Sequence, residues 1–188
     1  MRIIAGSFKG KKIFEPKNKI TRPLKDLTKE SIFNIINHSS KFEVNLMNSN
    51  ILDLFSGVGS FGIECLSRGA KNVVFAENYI GVLPILKKNL NNLKSIKNYK
   101  IIENDINNRN IFLIFKKKFD IIFLDPPFKD NNLENLLTNI YTSKIIDKKG
   151  IIIIHRHKKE KDKFPKNFKI VEEKKYGISK IFFLSVLY

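Results

Sequence analysis

Four short apolar runs in this chain each carry an acid at or near their end, and that recurrence limits the folds open to it. Ile51-Leu52-Asp53-Leu54-Phe55 contains Asp53, Asn72–Ala76 is followed by Glu77, Tyr99–Ile102 by Glu103, Asn104 and Asp105, and Phe119–Leu124 by Asp125. Runs this short and this rich in β-branched and aromatic residues read as strands buried on both faces. Helical stretches separate them: one opened by a glycine-rich turn after Phe55, one over 81–93, one near 106–115 and one over 133–141. Alternation of β and α elements predicts a parallel sheet with helices on both faces. Gly150 precedes a further buried run, Ile151–Ile154, and two segments around Tyr176-Gly177, 168–175 and 180–187, read as an antiparallel edge pair. The expected class is therefore α/β. In open sheets of this kind ligands bind beyond the carboxyl ends of the strands, where the four acids stand.

The turn after the first run is Gly57-Val58-Gly59-Ser60-Phe61-Gly62, with Glu77 twenty residues after Gly57. This is the G-x-G-x-x-G pattern between a strand and a helix, with an acid at the next strand end. Glycines there let backbone approach a ligand, and the acid suits ribose hydroxyls. Asp53 argues against a pyrophosphate, which it would repel. It favours a nucleoside carrying an ammonium and a sulfonium, as S-adenosyl-L-methionine does. The acid at Asp105 stands where an adenine amino group could be held.

The fourth run ends in Asp125-Pro126-Pro127-Phe128. Each proline bars its predecessor from helical angles and removes an N–H donor. A carboxylate, carbonyl acceptors and one aromatic face remain on stiff backbone. Such a set suits a planar amine, whose protons meet the acceptors while its ring stacks. A strand-ending turn is the plainer reading of the tetrapeptide taken alone.

The N-terminal stretch alternates apolar pieces with Gly6, Gly10 and a basic cluster, and predicts a hairpin of two short strands. Lys9, Lys11 and Lys12, with Arg22 further on, are candidate contacts to a phosphate backbone; a solvated basic surface explains the lysines equally well. Leu24, Leu27, Ile32, Ile35 and Ile36 approximate helical spacing, with Asp26 or Thr28 available as cap. Residues 39–49 are polar and read as a linker. The formal charge of +17, from 35 Lys and Arg against 18 Asp and Glu, favours a polyanionic partner. Abundant Ile, Lys and Asn, as in AT-rich genomes, inflates that figure. One cysteine, Cys65, excludes an internal disulfide and reads as helix packing. Without an apolar leader or a span long enough for a bilayer, a cytoplasmic protein without membrane contact is expected. His155 and His157 flank Arg156 after an apolar strand and read as surface residues rather than metal ligands, and no metal is expected. His38 carries no signal.

Taken together, MRIIAGSFKGKKI, TRPLKDLTKESIFNII, DLFSGVGSFGIECLSRGA, AEN, ND, DPPF and the closing Tyr176-Gly177 resemble the class I S-adenosylmethionine-dependent methyltransferases. The nearest likeness is to RsmD-type 16S ribosomal RNA guanine-N2 methyltransferases, and it runs nearly end to end. DPPF is shared with many amino-methylating enzymes; the opening MRIIAG with the TRP helix is much more specific. The resemblance implies a Rossmann-like, seven-stranded, mostly parallel sheet. It also implies a single methyltransferase domain over 1–188, with 1–45 as an N-terminal extension and 50–188 as the catalytic core. By resemblance Asp53, Phe55, Gly57, Gly59, Glu77, Asn104 and Asp105 bind cofactor, and Asp125, Pro126, Pro127 and Phe128 hold the target base. The implied target is guanine at nucleotide 966 of 16S ribosomal RNA, within a small-subunit assembly particle, acted on by a monomer. Lys25 and Leu27 depart from a helix that is often richer in arginine in the family.

Three other readings compete. A DNA or RNA adenine-N6 methyltransferase would share DPPF, although DNA enzymes carry a target-recognition region for which 188 residues leave little room. A nicotinamide dehydrogenase explains the glycines and Glu77 but not DPPF. A non-catalytic RNA-binding protein explains the charge but not the acids.

Overall fold

The computed structural model describes residues 1–16, 24–106, 108–127 and 130–187. Strands β1 (Asn50–Leu54), β2 (Asn72–Ala76), β3 (Tyr99–Ile102) and β4 (Phe119–Leu124) fall where the apolar runs predict them. β5 (Ile146–His157), β6 (Phe168–Tyr176) and β7 (Ser179–Val186) complete a seven-stranded sheet in the order β3-β2-β1-β4-β5-β7-β6. β1 through β5 run parallel, and β7 is antiparallel to both β5 and β6. The order reverses at β1, where the chain leaves for β2 on one side and β4 lies on the other. That switch point opens a crevice at the strands' carboxyl ends.

Alternation along the central strands sorts the core into two layers. Ile51, Val73, Phe75, Ile121, Phe123, Ile151 and Ile153 face one side; Leu52, Leu54, Ala76, Ile122, Leu124, Ile152 and Ile154 face the other. Because both faces are covered, these strands are apolar throughout rather than alternating. Burial of each such side chain is worth about 1.5–3 kcal/mol. Helix α1 (Asp26–His38) and helix α2 (Ser60–Ser67) lie on the first face, joined by an aromatic column. Phe33 stacks on Phe61 at 5.2 Å between ring centroids, and Phe61 on Phe123 at 4.0 Å. Helix α3 (Leu83–Asn91) shares that face, and α4 (Leu133–Thr142) packs on the other.

Four expectations differ in detail. The hairpin forms a single antiparallel bridge, Arg2 with Lys12, and no named strand, because turns at Gly6 and Gly10, both at positive φ, leave few residues to pair. The helix near 106–115 is a 3-10 helix, Arg109–Ile114, and Asn108 just before it favours a local turn over an α-helix. α1 starts at Asp26 without a side-chain cap from Asp26 or Thr28. The polar linker also packs: Leu46 is buried and Phe42 stacks on Phe183.

The N-terminal segment is stapled to α2. Ile4 and Ala5 donate backbone N–H bonds to Glu64 at 2.8 and 2.9 Å, and Ser67 Oγ donates to the Ala5 carbonyl at 2.6 Å. Glu64 is fully buried and also accepts from Arg68, with Lys29 Nζ 3.7 Å away. Burial lowers the pKa of the Lys29 ammonium, against the opposing pull of Glu64 and Asp26.

Candidate active site

The crevice is built from the ends of β1, β2 and β4. β1 leaves the sheet through Phe55, a non-glycine residue at φ 58°, followed by Gly57 at 54° and Gly59 at 84°. A left-handed phenylalanine is costly, and such strain gathers at ligand sites. A side chain at Gly59 would stand 2.5 Å from Leu86 Cδ1, and one at Gly62 would stand 2.3 Å from Phe75 Cε1. Those glycines let α2 and α3 close on the sheet. Gly57 is different: a Cβ there would meet nothing within 4 Å, so its backbone borders open space.

Two acids hold this loop. Asp53 is buried and its Oδ2 accepts the Gly62 N–H at 2.9 Å, tying β1 to the first turn of α2. Burial pushes its carboxyl well above the usual range; the Gly62 bond opposes the shift, and the nearby carboxylates of Asp125 and Glu77 add to it. Glu77, at the end of β2, accepts from Gly57 N–H at 2.7 Å through Oε2 and from Asn78 and Tyr79 N–H through Oε1. A carboxylate has about four acceptor directions, so one remains after these three bonds. Asn104 and Asp105 follow β3, exposed at the same end of the sheet. The adjacent Glu103 pairs with Lys87 of α3 at 2.7 Å.

Asp125 leaves β4 beside β1, its N–H donating to the Leu54 carbonyl at 3.3 Å. Pro126 is buried and Pro127 exposed. Phe128 and Arg22 lie outside the described residues. Lys9, Lys11 and Lys12 are exposed on the N-terminal segment. Lys11 donates to the Asn92 carbonyl and sits over the Phe8 ring at 5.0 Å, while Lys12 and Lys88 both approach the Phe14 ring.

The structure corrects one reading outright. His155 is not a surface residue: it is 6% exposed, and its Nδ1 lies 2.8 Å from Asp125 Oδ1. Its Nε2 lies 2.8 Å from Ser179 Oγ. Arg156, beside it, is 1% exposed. It donates from Nη1 to the Pro127 carbonyl, from Nη2 to the Asp130 carbonyl and from Nε to Asp162. The tip of β5 thus grips the Asp-Pro-Pro segment from behind. The signal available in sequence was two polar residues directly continuing the apolar run Ile151–Ile154, a continuation that keeps them inside the sheet. Among the described residues no cluster of His, Cys, Asp and Glu could hold a metal ion, and no helix is long and apolar enough to cross a membrane.

Comparison with known proteins places this crevice in context. The profile of the family described as conserved hypothetical protein 95 matches residues 1–185. Ribosomal RNA small subunit methyltransferase D of Haemophilus influenzae is 33% identical over 184 residues, covering 95% of this chain and 90% of its own. Among solved structures, yhhF of Escherichia coli, described as a candidate methyltransferase, superposes with a TM-score of 0.83 at 25% identity and covers 100% of this chain and 98% of its own. SMU.776, a candidate methyltransferase solved with SAH, shares the fold at a TM-score of 0.65 and 16% identity, covering 84% of this chain and 48% of its own.

Proposed function

The chain belongs to the conserved hypothetical protein 95 family, and from that membership we infer that it methylates ribosomal RNA with S-adenosylmethionine as the methyl donor. The finer reading we propose is transfer to the exocyclic N2 amine of a guanine in 16S ribosomal RNA, nucleotide 966 by resemblance. A protein acting as a monomer on a small-subunit assembly particle completes that reading.

The residues present fit the cofactor. Open space over Gly57 leaves room for a ligand against backbone, and Glu77 and Asp125 both lie close enough to Asp53 to act on it electrostatically. The carboxylates of Glu77 and Asp125 suit a cation. Glu77 has one acceptor direction left for a ribose hydroxyl, and Asp105 is exposed where an adenine amine would approach. Asp53 serves the site through the loop it braces. When bound, S-adenosylmethionine supplies an electrophilic methyl whose sulfur departs as a neutral thioether.

The rest of the chemistry falls to the Asp-Pro-Pro-Phe segment. The lone pair of an exocyclic amine is delocalised into its ring, so the amine must be held with that pair aimed at the methyl. Asp125 and the Pro126 carbonyl accept its protons, and Phe128 stacks on the base, which has to be unpaired or flipped to enter. Placement of the reacting atoms supplies most of the acceleration.

One observation carries the reading: Asp125 stands at the crevice beside the β1 loop, on a segment that β5 locks in place. The test is incubation of the purified protein with labelled cofactor and small-subunit RNA, followed by hydrolysis to nucleosides. N2-methylguanosine supports the proposal. N6-methyladenosine would move it to the adenine reading, and absence of any methylated nucleoside would contradict both.

A further inference from the structure

Three strands meet behind Asp125. Asp125 follows the Leu124–Ile154 pair of β4 and β5, and His155 is the next residue of β5. His155 is paired with Ile181 of β7, and Ser179 lies two residues before Ile181, on the same face. The result is a chain of two contacts, Asp125 Oδ1 to His155 Nδ1 and His155 Nε2 to Ser179 Oγ, each 2.8 Å. The ring is 6% exposed, so both contacts are made inside the sheet.

The chemistry of each partner dictates the proton's place. An ionised carboxylate only accepts, so Nδ1 must carry the hydrogen that binds Asp125. In the neutral ring Nε2 is then an acceptor, to which the Ser179 hydroxyl donates. We propose that His155, with its tautomer set by Asp125 and matched by the Ser179 hydroxyl, is a positioning residue for methyl transfer. It holds Oδ1 of Asp125 and leaves Oδ2 as the oxygen that meets the amine. This rests on the reading of Asp125 given above. As the new N–C bond forms, the S–C bonding pair stays on sulfur. The amine proton then passes to Oδ2, while the Nδ1 hydrogen stays on His155.

The experiment compares kcat, both KM values, cofactor affinity and thermal unfolding in four variants. His155→Leu should lower kcat roughly 10- to 100-fold, the range a misplaced reacting group costs, with cofactor affinity and both KM values unchanged. His155→Asn returns an N–H donor near the Nδ1 position and should recover most of the lost rate. Ser179→Ala should fall between His155→Leu and the unaltered protein. Histidine-labelled nitrogen NMR of the unaltered protein should show Nδ1 protonated and Nε2 bare for His155. That measurement stands even if His155→Leu does not fold. An Nε2–H tautomer, a kcat within twofold in His155→Leu, or an equal loss in His155→Leu and His155→Asn would each overturn the proposal. Asp125→Ala in parallel separates the two claims. If it retains full turnover, the reading of Asp125 fails; if it is inactive while His155→Leu is normal, only the role of His155 fails.

Discussion

At the residue scale, the carboxylates Asp53 and Glu77 at the crevice are held by backbone N–H groups. Glu77 joins three N–H groups from two loops, so its loss changes the shape of both. Glu77→Ala should weaken cofactor binding by about 1–3 kcal/mol, the cost of a lost charge-assisted bond with buried donors left open. Calorimetry giving the affinity of the unaltered protein would remove Glu77 from the cofactor site. Asp53 makes a prediction about pH. Its carboxyl is pushed up by burial, so between the ordinary carboxylate range and that raised value the folded state keeps a proton that the unfolded chain has lost. Stability of the free protein should therefore fall as pH rises through that window. Asp53→Asn keeps an acceptor for the Gly62 N–H and removes the titration, so denaturant midpoints measured across the window should flatten. An unaltered decline would show that another group is responsible.

At the element scale, the central strands were legible because each apolar run is short, bounded and closed by an acid. The elements that sequence reading misplaced lack such periodicity. The 3-10 helix at Arg109–Ile114 sits where asparagines break an α-helical pattern, and β5 extends from Ile146 to His157, well beyond the four isoleucines that announce it. That extension keeps His155 inside the sheet: polar residues past an apolar run look like a strand end unless their partners on other strands are known. The crevice itself was half legible. The acids and glycines are local in sequence, whereas Ser179 and Asp162 reach the site only through the fold. The N-terminal segment depends on an equally hidden contact. A Cβ at Gly6 would stand 1.9 Å from the Ser67 carbonyl oxygen, and the backbone there is at φ 82°. Gly6→Ala should cost about 1–3 kcal/mol through strain and lost docking on α2. Denaturant unfolding with no loss of stability would contradict that docking.

At the scale of the whole molecule, the net charge of +17 and the crevice point to the same partner from different physics. On the proposed reading, charge would gather RNA without choosing a base, and the Asp-Pro-Pro-Phe segment would choose the amine. The two should separate experimentally. Replacing Lys9, Lys11 and Lys12 together by glutamine should weaken RNA binding and lower the slope of log K against log salt by up to about 2, from roughly 0.7 per phosphate contact in single strands. Cofactor affinity should stay as it was. An unchanged slope would return these lysines to a solvated surface, a role that Lys11 already partly fills through Asn92. Asp125 is the residue on which the proposed chemistry depends. The most direct measurement is single-turnover methyl transfer to small-subunit RNA by Asp125→Ala, at saturating RNA and cofactor, with the methylated nucleoside identified. A folded variant that binds S-adenosylmethionine normally but forms N2-methylguanosine more slowly by orders of magnitude is the predicted result, and near-normal transfer by that variant would contradict it.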